Sequence, residues 1–549
     1  MTEGPARNRP GRCRGRHRFR PAALVLIVGM FFAHLGAAAD VLPYTIRPGD
    51  TLISIAREYL VEPQRWPELK RLNRIRNEHR LVPGSTLRIP LALLRQSPTQ
   101  AVVLQVGGEV TVGGRAPQVG DVLVDGATIR TGDQGSIALR LHDGAIVSVQ
   151  PRTQAHVQQL RVYDKTGAAD SVLRVEQGRI ESSVPEQTRP GARFEIRTPR
   201  AAAAVRGTQY RVADTQGNSL AEVLEGSVDI AGASGALRVE TGFGVRVGPE
   251  GRPGQPVALL PAPVTAQLPR LQERPVVRFR VPPVAGADRY RAQVSDEPAF
   301  RTVRQDGVFA TPDLRFTGLP DGDYVLRVRA IDGLGLEGVD ATHAFRLKAR
   351  PEPPFPAQPV DRGKVRGEQV EFRWSGAAEA DTYVLQVGSD PGFDRIELEA
   401  AGLRNLRHAP EQRFPPARYV WRIASVRTDG DRGPWSDPQS FEVFPAPALP
   451  DPPALGEADI TFRWRAEPGQ RFLFQLARDP QFAQIVHETQ LDAPAFTTPR
   501  PEPGTYYMRV QATDADGFVG PFTATQRFDV PPSPPSAWPL LLPLLLLLL

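Results

Sequence analysis

Hydrophobic and polar positions change rhythm sharply along this chain. From about residue 98 onward the dominant pattern is alternation in short runs, as in "YVLRVRAID" at 324–332, which sends every second side chain to one face and predicts β-strands. Helical periodicity is confined to the apolar run 22–35 and to the region just after it. In "YTIRPGDTLISIAREY" (44–59) the alternation breaks at Pro48-Gly49-Asp50, and Leu52, Ile55, Ala56 and Tyr59 then fall on one apolar helical face. Gly49 suits a tight turn, and the side-chain oxygen of Asp50 or Thr51 can cap the helix by accepting an orphan backbone N–H. "PELKRLN" (67–73) predicts a second helix with Pro67 in its first turn, and "LVPGSTLRIP" (81–90) predicts another turn and a closing strand. The order is βααβ.

Proline-rich stretches at 261–264, 351–359 and 445–453 punctuate the remainder as stiff linkers. The three segments they bound are internal repeats, opened by "VVRFRV" (276–281), "VEFRWS" (370–375) and "ITFRWR" (460–465). Each continues with an acidic-Pro-aromatic turn ("DEPAF", "DPGF", "DPQF") and a Tyr-bearing strand ("DGDYVLRVRA", "PPARYVWRIAS", "EPGTYYMRVQA"). Phe279, Phe372 and Phe462 are 93 and 90 residues apart, the size of a β-sandwich. Trp374, Trp464 and Tyr324 lie on these strands and read as core. Residues 98–250 are rich in glycine turns and short strands. Gly126, Gly132, Gly135 and Gly144 mark turns and not a phosphate loop, because no helix follows them.

Charge changes the picture once it is located. The formal net charge is +6, yet residues 1–39 hold seven of the 67 basic residues and one of the 61 acidic ones, so the rest of the chain carries 60 of each. A general electrostatic case for nucleic acid therefore fails. Residues 1–39 combine a basic flank (Arg7–Arg20), an apolar run (Ala22–Leu35) and small residues up to Ala39, the pattern of a signal peptide cleaved before Asp40; an uncleaved signal anchor is the alternative. The expected location is the periplasm or cell envelope. The single cysteine, Cys13, precedes the apolar run, so the exported part has no disulfide and must rest on apolar cores.

With these patterns in place, "YTIRPGDTLISIAREY…RLNRI…LVPGSTLRIP" resembles a LysM module over residues 41–91. The resemblance implies binding of N-acetylglucosamine glycans, peptidoglycan in bacteria. It implies a groove with Gly49, Asp50, Thr51 and Leu52 on one side and Arg80, Leu81 and Val82 on the other. "TPRAAAAVRGTQYRV" (198–212) with "LEGSVDI" (224–230) resembles the FecR domain, over about 98–250, and implies an elongated all-β fold. Ala201–Ala204 and Gly207 there read as a tightly packed crossing. FecR itself is a periplasmic sensor whose cytoplasmic regulator precedes a membrane span; only about 20 residues precede the apolar run here. The repeats, at 270–348, 360–445 and 454–530, resemble fibronectin type III domains.

The fold class expected is a multi-domain, mostly β chain: a small βααβ module, an all-β middle domain and three β-sandwich repeats. The chain has no P-loop, HExxH or G-x-S-x-G, and "DADG" (514–517) lacks the rest of a calcium loop, so neither enzyme, cofactor nor metal is expected. His142-Asp143 reads as a surface pair on a hairpin. The expected partners are peptidoglycan and an envelope protein met by the β domains, with no nucleic acid. The expected function is an envelope protein held to the wall; the alternatives are a FecR-like sensor and a wall hydrolase with an unrecognised site. Residues 531–549 form a Pro-rich linker and a Leu-rich tail that would reach roughly 18 Å as a helix, short of the ~30 Å apolar core of a bilayer. That length suits weak membrane contact at most.

Overall fold

The computed structural model describes residues 41–205 and 207–532. The basic flank and apolar run expected to act as a signal peptide, Cys13, Arg206 and the Leu-rich tail lie outside the described residues. The chain divides into two compact units at Leu259/Leu260, with Gly333–Gly338 belonging to the first unit. The fold is mostly β, as the alternation requires.

The first unit opens with β1 (Val41–Thr45), α1 (Leu52–Tyr59), α2 (Trp66–Leu72) and β2 (Thr86–Pro90), the βααβ order with a single turn of 3₁₀ helix before α2. β1 and β2 pair antiparallel, Tyr44 opposite Leu87. Thr51 is the N-cap of α1, and Pro67 sits in the first turn of α2. Leu52, Ile55, Ala56, Leu69, Leu87 and Ile89 fill the core between helices and ribbon. Leu93, Leu94, Tyr163 and Ala168 are buried in that same core, so it continues into the strands that follow.

Those strands form one hydrogen-bonded network of seventeen between Gln96 and Ala258. Its centre comprises β3 (Gln154–Tyr163), β4 (Ala169–Val184), β5 (Arg193–Arg197), β6 (Ala201–Val205), β7 (Thr208–Thr215) and β8 (Asn218–Glu225). β4 is long enough to join two sheets: it pairs parallel with β5 through Asp170–Arg174 and antiparallel with β7 through Gly178–Val184. A β-branched and alanine-rich core lies between them, with Val175, Ile180, Phe194, Ile196, Tyr210 and Val223 fully buried. The alanine run is β6, held between β5 and the strand Ser227–Gly232. Gly207 takes φ +132°, and a Cβ there would come within 2.6 Å of the Glu186 backbone. A tight crossing is what those residues form.

In the second unit each repeat pairs two sheets around its own aromatic core. Trp374, Trp464 and Tyr324 are buried there, as expected. Each repeat also closes a tyrosine corner: the hydroxyls of Tyr324, Tyr419 and Tyr506 donate to the carbonyls of Pro320, Pro415 and Glu502, four residues upstream, at 2.9, 2.9 and 2.8 Å. The acidic-Pro-aromatic turns place Phe300, Phe393 and Phe482 at φ +48°, +59° and +60°.

Candidate functional site

The turn after β1 is built by local side-chain capture. The carboxylate of Asp50 accepts the Tyr44 hydroxyl at 2.7 Å and the Arg47 N–H at 2.7 Å, which closes the loop on itself. Gly49 at the apex has φ +92° and open space where a Cβ would stand. Thr51 then starts α1 with a reciprocal capping box: its hydroxyl accepts the Ser54 N–H at 3.0 Å, and the Ser54 hydroxyl accepts the Thr51 N–H at 2.9 Å. Of the two residues expected to cap, Thr51 does so and Asp50 holds the turn. The Tyr44 ring meets Tyr59 edge-on at 5.2 Å. Burial, then the Asp50 carboxylate, push the Tyr44 hydroxyl up to about 12.

The loop before β2 is joined to this turn by backbone bonds. Leu52 N–H donates to Glu78 O at 2.9 Å, Ile46 N–H to Ser85 O at 2.9 Å, and Gly84 N–H to Ile46 O at 2.8 Å. Gly84 is a second exposed apex, φ +82°. Lys70 on α2 holds Glu78 at 2.6 Å and so fixes the loop's start. The fold thus sets Gly49–Leu52 beside Arg80–Val82, but the seven residues offer different things. Leu52 is fully buried, so its side chain supplies core and no surface to a ligand. Leu81 is half-buried against the same core. Val82 is 71% exposed and Arg80 is exposed without an acidic partner among the described residues. Among the described residues the N–H groups of Gly49, Leu81 and Val82 have no hydrogen-bond acceptor.

Sequence reasoning missed a cleft of about 580 Å³ in the middle domain, bounded by Pro98, Gln100, Val102, Val124, Arg140 and His142. Its walls come from separate strands and no contiguous motif announces it. His142 is exposed, while Asp143 accepts the Ala145 N–H and the Gln187 amide, a turn role. Among the described residues no cluster of His, Cys, Asp or Glu is arranged to hold a metal ion.

Comparison with known proteins matches two of these segments to families. Residues 44–90 match the LysM domain, and residues 127–229 match the FecR protein family. Both are non-catalytic domain types, and the first is the βααβ module described above. No curated protein matches the chain. Among solved structures, a "putative anti-sigma factor" from Parabacteroides distasonis ATCC 8503 aligns at 19% identity and TM-score 0.20, over 24% of this chain and 59% of its own. This chain thus spans less than two thirds of that protein's length. The chicken CNTN1 FN1–FN3 domains align at 16% identity and TM-score 0.22, over 49% of this chain and 99% of theirs. The fibronectin(III)-like modules of Clostridium thermocellum CbhA align at 13% identity and TM-score 0.19, over 33% of this chain and 95% of theirs.

Proposed function

We propose that this is a non-enzymatic protein of the cell envelope that binds peptidoglycan through the loops 46–52 and 78–85. The observation that carries this reading is the LysM match, set on two loops joined by backbone bonds, in which the N–H groups of Gly49, Leu81 and Val82 have no acceptor among the described residues. Those donors suit N-acetyl carbonyls, and Val82 offers an apolar patch for a sugar face. Leu52 acts beneath the surface by fixing the start of α1. The β domains beyond act as scaffold and as the surface for an envelope partner. Export through residues 1–39 places Asp40 at the mature N-terminus, which N-terminal sequencing reads directly.

The test is co-sedimentation of the full exported chain with purified sacculi. Val82→Asp should reduce binding several-fold while leaving the melting temperature unchanged, because Val82 is 71% exposed. Equal sedimentation of the folded variant and the wild type would remove the groove from the reading. The FecR match supports a second reading, envelope signalling, in which the middle domain senses a partner. A sigma-factor gene next to this one would favour it.

A further inference from the structure

The three repeats of the second unit each carry the same four-residue ladder. Three positions after the corner tyrosine stands an arginine: Arg327, Arg422 and Arg509. Each guanidinium lies over the phenylalanine of the acidic-Pro-aromatic turn: Arg327 over Phe300 at 4.4 Å, Arg422 over Phe393 at 3.9 Å, and Arg509 over Phe482 at 3.9 Å. Each donates to a glutamine carbonyl, on Gln293, Gln386 and Gln475 respectively, at 2.5, 2.7 and 2.7 Å. Each glutamine amide in turn donates to an acid: Asp306, Glu399 and Glu488.

The repeats differ in what else surrounds the arginine. Asp340, Ser436 and Thr523 are equivalent, each five residues before the phenylalanine (Phe345, Phe441, Phe528) that pairs with the corner tyrosine. In the first repeat Asp340 supplies a carboxylate 3.8 Å from Arg327 and pairs with Arg329. In the other two a hydroxyl stands there and accepts a backbone N–H, Ile423 to Ser436 and Val510 to Thr523, both at 3.1 Å. Among the described residues Arg422 and Arg509 therefore have no carboxylate partner. A second aromatic ring lies against each instead, Trp435 at 4.5 Å and Phe522 at 4.1 Å, and Arg432 adds another cation over Trp435 at 4.6 Å. Both arginines are half-buried and not sealed in the core. Of the nearby acids, Glu399 and Glu488 are one glutamine away, and Glu273 is the acid that acts on Arg422.

We propose that Arg422 and Arg509 are two anion-binding positions, one per repeat, that take the carboxylates of an acidic polysaccharide where Asp340 serves the first repeat. Two rings and a glutamine carbonyl limit how each planar fork can turn, and a planar fork matches a carboxylate. A peptide is the poorer occupant. Both arginines lie on strands paired along both edges, Arg418–Val426 and Gly504–Thr513, so no added strand can form a ladder there. A uronic acid brings hydroxyls beside its carboxylate, and the exposed Glu399 and Glu488 can accept from them. Two equivalent positions on one chain favour a polymer over its monomer.

The test is titration of the full chain with polygalacturonate at low salt, with dextran and poly-L-glutamate as controls. Wild type should bind polygalacturonate and neither control. The double variant Arg422→Gln, Arg509→Gln should lose roughly tenfold or more in affinity, about the worth of one charge-assisted hydrogen bond or better. A second variant, Ser436→Asp with Thr523→Asp, leaves the arginines in place and supplies the carboxylate that the first repeat already has; it should lose binding to the same degree. Thermal melts establish that each variant is folded, and if the arginine variant is not, the aspartate pair decides. Undiminished binding by a folded variant, no binding by wild type, or equal binding of poly-L-glutamate overturns the proposal.

Discussion

At the scale of single residues, the turn after β1 shows how little chemistry fixes a loop. Thr51 and Ser54 exchange two hydrogen bonds and so satisfy donors that the helix start would otherwise leave exposed. Thr51→Ala should cost about 1 kcal/mol, measured by denaturant unfolding, while Thr51→Ser should restore most of it. Tyr44 gives the turn a pH limit. Its hydroxyl has an ordinary value of 10.0 and is raised to about 12 in the folded chain, so the unfolded chain loses that proton first as pH rises. The stability from the buried, protonated hydroxyl is therefore whole below about pH 10 and declines up to about pH 12. Tyr44→Phe should flatten that part of a stability–pH curve; an unchanged slope would show that Tyr44 is not responsible. The glycines, the helix face and the cap were readable because each depends on neighbours within four residues. The Tyr44–Asp50 bond was not, since nothing local tells a turn aspartate to prefer a tyrosine over a helix N–H.

At the scale of elements, alternation predicted strands but not what their charged residues would meet. Within the first unit Arg179 on β4, Arg211 on β7 and Glu222 on β8 are all buried, and Glu337 from the segment 333–338 completes the set. Arg179 reaches Glu222 at 2.6 Å and Glu337 at 3.0 Å, and Arg211 lies 3.5 and 3.6 Å from the same two acids. Two cations and two anions balance, which is why such a cluster is tolerated away from water. Removing one charge leaves the others uncompensated, so Glu222→Gln should destabilise the first unit by about 3 kcal/mol or more. Thermal melts would test it, and a loss below about 1 kcal/mol would mean that water reaches the cluster. From sequence these residues look like ordinary polar positions in alternating strands; only the approach of Glu337, more than 100 residues downstream of Glu222, makes them core. The Tyr-bearing strands and the burial of Tyr324 were legible, but the corners were not: the hydroxyl's bond to a carbonyl four residues upstream depends on how the turn before each strand folds back.

At the scale of the whole chain, the order of segments was legible because each has its own period and its own punctuation. What proline and glycine cannot reveal is where one core stops. The βααβ pattern ends with its closing strand, yet Leu93 and Leu94 beyond it are buried in the same cluster as Leu52 and Ile55, together with Tyr163 and Ala168 from the next domain. Backbone bonds cross the same join: Val61 N–H to Leu93 O and Arg95 N–H to Tyr59 O, each 2.9 Å, and Asp164 N–H to Arg95 O at 3.2 Å. Lys165 pairs with Glu58 on α1 at 2.8 Å. A module tied down this way should not unfold by itself, because opening it would expose the Tyr163 ring and break the connecting ladder. Tyr163→Ala removes a buried ring and should cost about 3 kcal/mol or more. The loss should be felt on both sides of the join. Hydrogen exchange of the full chain would then show faster exchange both in Leu52–Leu60 and in Ala169–Val175. If the helical module keeps its protection while the strands alone loosen, the two cores are separate and the loops 46–52 and 78–85 rest on their own stability. If both loosen together, the loops 46–52 and 78–85 are held by the middle domain, and anything that strains that domain reaches the loops through Tyr163.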